Sequence, residues 1–304
     1  MQMNVEFVDL RLFVNVAECG NLTRGAERSY LSPPSASARV KSLELEVGQQ
    51  LFNRGNKGVT LTRPGELFLK QARLVLRQLD FLKDEMSNAV DGHIRLYANT
   101  TAITEFLPEL LAQFLSERPG VTVDLQERLT NEIVRSVVDG TADLGIISGD
   151  IEDQGLQVIP FSTDRLVLAT PSDHPLALRK QVQFAKTLEF EHISLHEGST
   201  LLDFLRRQFR RSGYDRSLRI QVRSFEAMCR LVEAGVGIGV VPETAAKRHE
   251  KTMDIALLNL CDNWAIRTRS VLVRDRETLP RTALGLIGLL VDSSAGGKRL
   301  KSDG

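Results

Sequence analysis

The chain has 304 residues, 42% hydrophobic and 26% charged, a length that suits two or three domains and a composition ordinary for globular proteins. Lysine plus arginine and aspartate plus glutamate both number 39, so the formal net charge is zero. That balance excludes a chain coated in basic charge for non-specific nucleic-acid binding and leaves room only for a local basic patch.

Residues 1–65 read as short capped helices followed by a glycine-rich hairpin. Leu10, Phe13, Val14 and Ala17 fall at i, i+3, i+4 and i+7, one face of a helix that stops near Gly20. A second helix starts with Thr23 as N-cap and runs through Ala26 to Tyr30. A third starts at Ser32, with Pro33 at the first helical position, where its missing N–H costs nothing. Its apolar face is Ala36, Val40, Leu43 and Val47, and Gly48 stands at its C-terminal cap. Two short helices joined by a residue or so, the second with a small-residue start, make a helix-turn-helix. After it, Leu51 and Phe52 lead into the turn GNKG, and Val59 and Leu61 return on alternate positions, a hairpin that forms a wing. Between residues 20 and 63, Arg24, Arg28, Arg39, Lys41, Arg54, Lys57 and Arg63 face only Glu27, Glu44 and Glu46, a local excess of four positive charges where phosphates would be met.

Residues 66–90 read as one uninterrupted helix. Phe68, Ala72, Val75, Leu79, Leu82 and Met86 are spaced 4, 3, 4, 3 and 4, a heptad seam with charged residues on the other faces. A dimerising linker helix is expected, and pairing would set two reading helices against two half-sites.

From His93, apolar strands alternate with amphipathic helices to about Asp292, as in parallel sheets with crossover helices. The strands are His93–Asn99, Val121–Arg128, Asp143–Ser148, then LQVIPF and RLVLAT, His192–Ser199, Arg219–Ser224, the turn and strand of Ala234–Pro242, and Thr268–Asp275. Helices follow from Thr100 or Thr101 through Leu107, Leu111 and Phe114, from Thr130, from Ser199 or Thr200, and from Phe225, with a last one at Leu279–Leu290. The expected partition is a lobe of 91–165 with 268–292, a second lobe of 166–267, and a disordered tail of 293–304. Ligands of such sheets sit beyond the carboxyl ends of strands, against helix N-termini. The candidates for a small anionic effector are therefore Thr100, Thr101, Thr130, Ser148, Gly149, Ser199, Thr200 and Phe225, although each serine or threonine alone also reads as a plain N-cap.

Catalysis has little support. The histidines lack metal-ligand spacing, no GxSxG or GxxxxGK[ST] occurs, and Gly235, Gly237 and Gly239 follow a helix where a dinucleotide site needs them to open one. Cys19, Cys229 and Cys261 form neither a CxxC nor a Cys/His cluster, so neither zinc nor a disulfide framework is expected, and no cofactor is called for. The start MQMNVEFVDLRLF is not a secretory leader, and no run of about 18 apolar residues occurs, which points to the cytoplasm.

The stretch LFVNVAECGNLTRGAERSYLSPPSASARVKSLELEVGQQLFNRGNKGVTLTRPGELFL resembles the N-terminal domain of LysR-type transcriptional regulators of bacteria. FLPELLAQFLSERPGVTVDL, the ADLGII segment and LVEAGVGIGVVPETAA stand where that family has comparable stretches, so the resemblance spans residues 8–292. It implies a multidomain α+β and α/β chain: a winged helix-turn-helix, a linker helix, and a two-lobed effector domain like periplasmic binding proteins. It also implies a homodimer or homotetramer acting on double-stranded promoter DNA, a small-molecule inducer, and RNA polymerase as a partner. Carried over, Thr23 and the helix face of Ser32, Pro33, Pro34, Ser35, Ser37, Arg39 and Lys41 meet the major groove, and Arg54 and Lys57 the minor groove or backbone. The family often has glutamine at the position of Pro33 and a long polar residue at that of Ala38. With that reach missing, Arg39 and the wing are expected to carry more of the specificity. The competing expectations are a two-lobed solute-binding or transport component, which residues 1–90 oppose, and a catalytic α/β protein with a helical appendage.

Overall fold

A computed structural model describes residues 4–55, 58–86, 92–149, 151, 154–197, 199–213 and 218–299. The N-terminal unit consists of α1 (Phe7–Cys19), α2 (Leu22–Arg28), α3 (Pro33–Val47), β1 (Phe52–Gly55) and β2 (Gly58–Leu61), followed by α4 (Arg63–Met86). Asn21 caps α2 by accepting from the amide of Arg24, so Thr23, expected as the cap, is the second residue of the helix. Ser32 caps α3 through the amide of Ser35, and Gly48 ends it in the left-handed region at φ 69, which an L side chain resists. Strands β1 and β2 pair antiparallel with Phe52 opposite Leu61. Phe13 is the hub of the core, with ring centroids 4.8 Å from Phe52 and 5.0 Å from Phe68. Glu44 fastens the wing to α3 by accepting from the amides of Leu51 (2.9 Å) and Phe52 (3.0 Å).

The C-terminal region starts with β3 (Gly92–Ala98), α5 (Thr100–Glu105), α6 (Leu107–Ser116), β4 (Val121–Glu127), α7 (Thr130–Val138) and β5 (Leu144–Ser148). The single helix expected from Thr100 is two, broken at Phe106 where Pro108 follows, and its cap is Asn99, not a threonine. Next comes β6 (Gln157–Pro171), one strand of 15 residues where two were expected. Then follow β7 (Gln181–Val182), β8 (His192–Leu195), α8 (Thr200–Arg211), β9 (Ile220–Val222), α9 (Phe225–Glu233), β10 (Ile238–Pro242), α10 (Glu243–Glu250), β11 (Ile255–Leu260), β12 (Ile266–Val273) and α11 (Arg281–Arg299). The sequence reading left α10 and β11 out. Helix α11 continues through 293–299, a correction to the disordered tail; 300–304 lie outside the described residues.

Two sheets share one strand. The first has the order β4-β3-β5-β12-β6 and the second continues from β6 to β10, β8 and β9, with β11 and β7 on its other side. Strand β6 pairs with β12 over 157–165 and with β10 and β11 over 166–171, so it crosses from one lobe to the other between Arg165 and Leu166. The chain crosses back just before Ile266, where β12 begins. The sheets are mixed, not purely parallel, because β6 and β12 run antiparallel to their neighbours. Separate apolar cores fill the first lobe around Leu96, Phe114 and Ile287 and the second around Leu168, Phe184 and Val240.

Candidate nucleic-acid interface and ligand cleft

Helix α3 buries Ala36, Val40 and Leu43, which turns Pro34, Ala38, Lys41, Ser42 and Leu45 outward along one stripe. Ser32, Pro33 and Ser35 are exposed at its N-terminus, and Ser37 flanks the stripe half-buried. Thr23 and Arg24 are exposed on the first turn of α2. Two side chains missed by sequence reasoning belong to this surface. Ser42 follows from the helical period once the buried face is known. Tyr30 is 97% exposed in a left-handed turn (φ 56) between α2 and α3, which nothing in its neighbours announced.

Arg39, expected to carry specificity, is engaged within the protein. Its guanidinium is paired with Asp9 (2.7 Å) in the first turn of α1 and with Glu6 (3.1 Å) just before it, and these carboxylates raise its already high pKa. It is held along the protein, with the two acids offsetting its charge. Arg54 of the wing lies 3.6 Å from Glu44, while Lys57 lies outside the described residues. The basic side chain set squarely on the outward stripe of α3 is Lys41.

The expected seam of α4 divides. Ala72 is 2% exposed and Phe68 packs on Phe13, so both belong to the N-terminal core and not to an open face. Val75 (43% exposed), Leu82 (53%) and Met86 (76%) stay open to solvent, with Leu79 half-buried beside them and Leu67 also exposed. The other side of α4 is latched to the first lobe. Arg77 Nε donates to Asp143 Oδ1 (2.7 Å), its Nη2 reaches Asp143 Oδ2 and the carbonyl of His93, and Arg95 donates to the same carboxylate from its amide (2.8 Å) and Nη2 (2.9 Å). Leu74 abuts Gly140, where a Cβ would collide with it, and Lys70 lies 3.8 Å from Asp139.

Between the lobes lies a cleft of about 1040 Å³. Its walls are α7 of the first lobe and α8 of the second, and its floor is the start of β12 with the end of β5. Of the expected effector residues, Thr130, Ser148, Gly149 and Thr200 line it, and Thr130 meets Thr200 across the lobes, its amide 3.3 Å from Thr200 Oγ1. The others do not line it. Thr100 is engaged with Glu127, Thr101 is on the buried face of α5, and Phe225 is part of the second lobe's core. Ser199 is buried at the start of α8, and its Oγ caps nothing and has no partner among the described residues.

Sequence reasoning missed the charged groups at the crossover. Asp164 on β6 accepts from Arg267 Nη2 and from Arg269 Nη2 (3.1 Å) on β12, and all three residues are buried, at 2%, 5% and 8% exposure. Arg267 lines the cleft and lies over the ring of Phe204 in the second lobe (5.7 Å), whereas Arg269 lies over Phe106 in the first (4.7 Å). Burial lowers the Arg267 pKa, with Asp164 acting against the shift. A guanidinium keeps its charge in proteins regardless.

Residues 87–295 match the family described as LysR substrate binding domain, and residues 7–66 match the bacterial regulatory helix-turn-helix protein, lysR family. The chain belongs to the LysR family. It is a LysR-type DNA-binding transcriptional regulator with an effector-binding domain. Among curated relatives, it is 28% identical over 272 residues to a probable RuBisCO transcriptional regulator of Synechocystis sp., covering 86% of this chain and 78% of that one. It is 27% identical over 263 residues to the HTH-type transcriptional regulator CysL of Bacillus subtilis, covering 86% and 88%. Among solved structures, a full-length OxyR variant from Pseudomonas aeruginosa shares 25% identity at a TM-score of 0.73, over 96% of this LysR-type chain and 98% of OxyR. Full-length CbnR complexed with its target DNA shares 25% identity at a TM-score of 0.62, over 95% and 100%. Among the described residues, no helix is long and apolar enough to cross a membrane.

Proposed function

We propose that this regulator works in the cytoplasm as a homodimer or homotetramer, docking the outward stripe of α3 in the major groove of a promoter. Ser32, Pro33, Pro34, Ser35, Ser37, Lys41, Ser42 and Tyr30 form the contact surface, with Arg54 and Lys57 of the wing on the backbone or minor groove. A small anionic effector bound between the two lobes sets the transcriptional output, through RNA polymerase, and the chain carries out no catalysis. The carrying observation is the pairing, in one chain, of an exposed α3 stripe bearing Lys41 with an interlobe cleft floored by Arg267. The target DNA seen with CbnR supports the first half of this reading. Pairing through Val75, Leu79, Leu82 and Met86 supports two reading helices on two half-sites.

The test is retardation of the promoter fragment upstream of the gene by the full-length chain. Binding weakens as salt rises, because each phosphate contact releases a condensed counterion. Lys41→Ala lowers affinity on every fragment, and Arg39→Ala, its charge held by Glu6 and Asp9, costs less. Equal affinity for promoter and random DNA, unchanged by Lys41→Ala, contradicts the assignment.

A further inference from the structure

Two guanidiniums share one carboxylate at the crossover, which leaves one positive charge buried without a counterpart. Burial of an unbalanced charge is costly unless an anion completes it. The remaining donors around it stand in one row. The strand register sets Ser148 of β5 beside Arg269 of β12, and Arg269 beside Ser162 of β6, so the three share a face with Asp164 and Arg267. Ser148 Oγ, Ser162 Oγ, Arg267 Nε and Arg269 Nε are all buried, and none has a partner among the described residues. Ser148 and Arg267 both line the cleft, and Arg269 and Ser162 stand next to them in the strand register without lining it. Unmet donors are rare in native interiors because each forfeits its hydration, and four beside an uncompensated charge describe a seat for an oxyanion.

The outer part of the cleft repeats the sign. Arg135 of α7 and Arg207 and Arg211 of α8 line it and have no ion pair among the described residues, against Asp203 and an Asp139 that faces Lys70.

We propose that the cleft takes a small dianion, one anionic group on the Arg267–Arg269–Ser148 seat and the other against the arginines of α7 and α8. This rests on the cleft being the effector site and adds the ligand class and the residues that read it. Because Asp164 and Arg267 flank the two chain crossings, and the guanidiniums contact Phe106 and Phe204 in different lobes, an anion here ties both lobes to one point.

Calorimetric titration of the full-length chain with malonate, succinate, glutarate and adipate, each compared with its monomethyl ester and its diamide, tests the proposal. At least one dicarboxylate binds, its monoester binds about tenfold or more weaker, and its diamide gives no heat; one lost charge-assisted contact is worth about that factor. Arg269→Gln and Ser148→Ala each weaken the dicarboxylate by about tenfold or more, and the exposed Arg223→Gln leaves it unchanged. Ser148→Ala keeps the test decisive should the buried arginine variants fail to fold. Diamides that bind as tightly as dicarboxylates, affinity that survives Arg269→Gln and Ser148→Ala alike, or no binding by any dicarboxylate overturns the proposal. Promoter retardation by the unaltered chain is scored separately: loss of DNA binding speaks against the regulator assignment, and loss of dicarboxylate binding against the dianion seat.

Discussion

At the scale of single residues, the N-terminal unit rests on local chemistry that composition and spacing announce. Ser32 with Pro33, the Ala36–Val40–Leu43 face and Gly48 all take the roles their types and positions suggest. Ser32→Ala removes the cap of α3 and is expected to cost about 1 kcal/mol, read as a lower urea midpoint, whereas Ser42→Ala on the outward face leaves the midpoint unchanged. His192 illustrates what spacing cannot announce. It is buried between Phe184 and Phe209, its Nε2 3.0 Å from the carbonyl of Thr187. Burial pushes its pKa down from 6.5 to about 4. Between those values the unfolded chain binds the proton that the folded chain refuses, so the stability tied to neutral His192 is complete above pH 6.5 and drains as pH falls toward 4. The expected loss is up to roughly 3 kcal/mol across that window. A melting temperature that falls between pH 7 and 4.5, less steeply in His192→Gln, is the outcome to look for.

At the scale of elements, helices with a single solvent face and the wing were readable, because their periods and turn residues are written locally. The corrections arise where tertiary neighbours decide. Two of the six seam residues of α4, Phe68 and Ala72, are consumed by Phe13 and its companions, so the seam is open for a partner only from Val75 onward. Leu82→Lys with Met86→Lys is therefore expected to shift the chain toward monomer in sedimentation, while Ala72→Lys unfolds the N-terminal unit. The Asp164–Arg267–Arg269 cluster was invisible because it joins positions about a hundred apart through the antiparallel register of β6 and β12. The latch of α4 on the first lobe is of the same kind. Asp143 serves two guanidiniums, the buried Arg77 and the half-buried Arg95, and Asp143→Ala leaves both without their carboxylate, a change expected to lower the urea midpoint. Arg77→Ala removes only the α4 side. Since α7 lines the cleft and runs into the Asp139–Gly140 corner that α4 touches, Arg77→Ala is expected to diminish the effect of ligand on DNA affinity more than either binding event alone. Full coupling in Arg77→Ala would remove the latch from the signalling path.

At the scale of the whole molecule, the two lobes are linked twice by strands and again by side chains. Arg248 of α10 holds Glu105 of α5 through two contacts, at 2.9 and 3.2 Å, from the second lobe to the first. Loss of this bridge in Glu105→Gln is expected to loosen the lobes and raise amide exchange in α5 and α10 relative to α6. The two-lobed plan was legible from alternating strands and helices, but its crossing point was not, since LQVIPF and RLVLAT read as two strands and form one. In the proposed assembly two chains, paired along α4, present two α3 helices to one duplex. Selection of bound fragments from a random DNA pool by the full-length chain tests it most directly. The expected outcome is enrichment of a two-fold symmetric sequence with half-site centres about one helical turn, roughly 10 base pairs, or a multiple of it apart; a pool that stays random, or one that yields a lone unpaired half-site, rules the paired arrangement out.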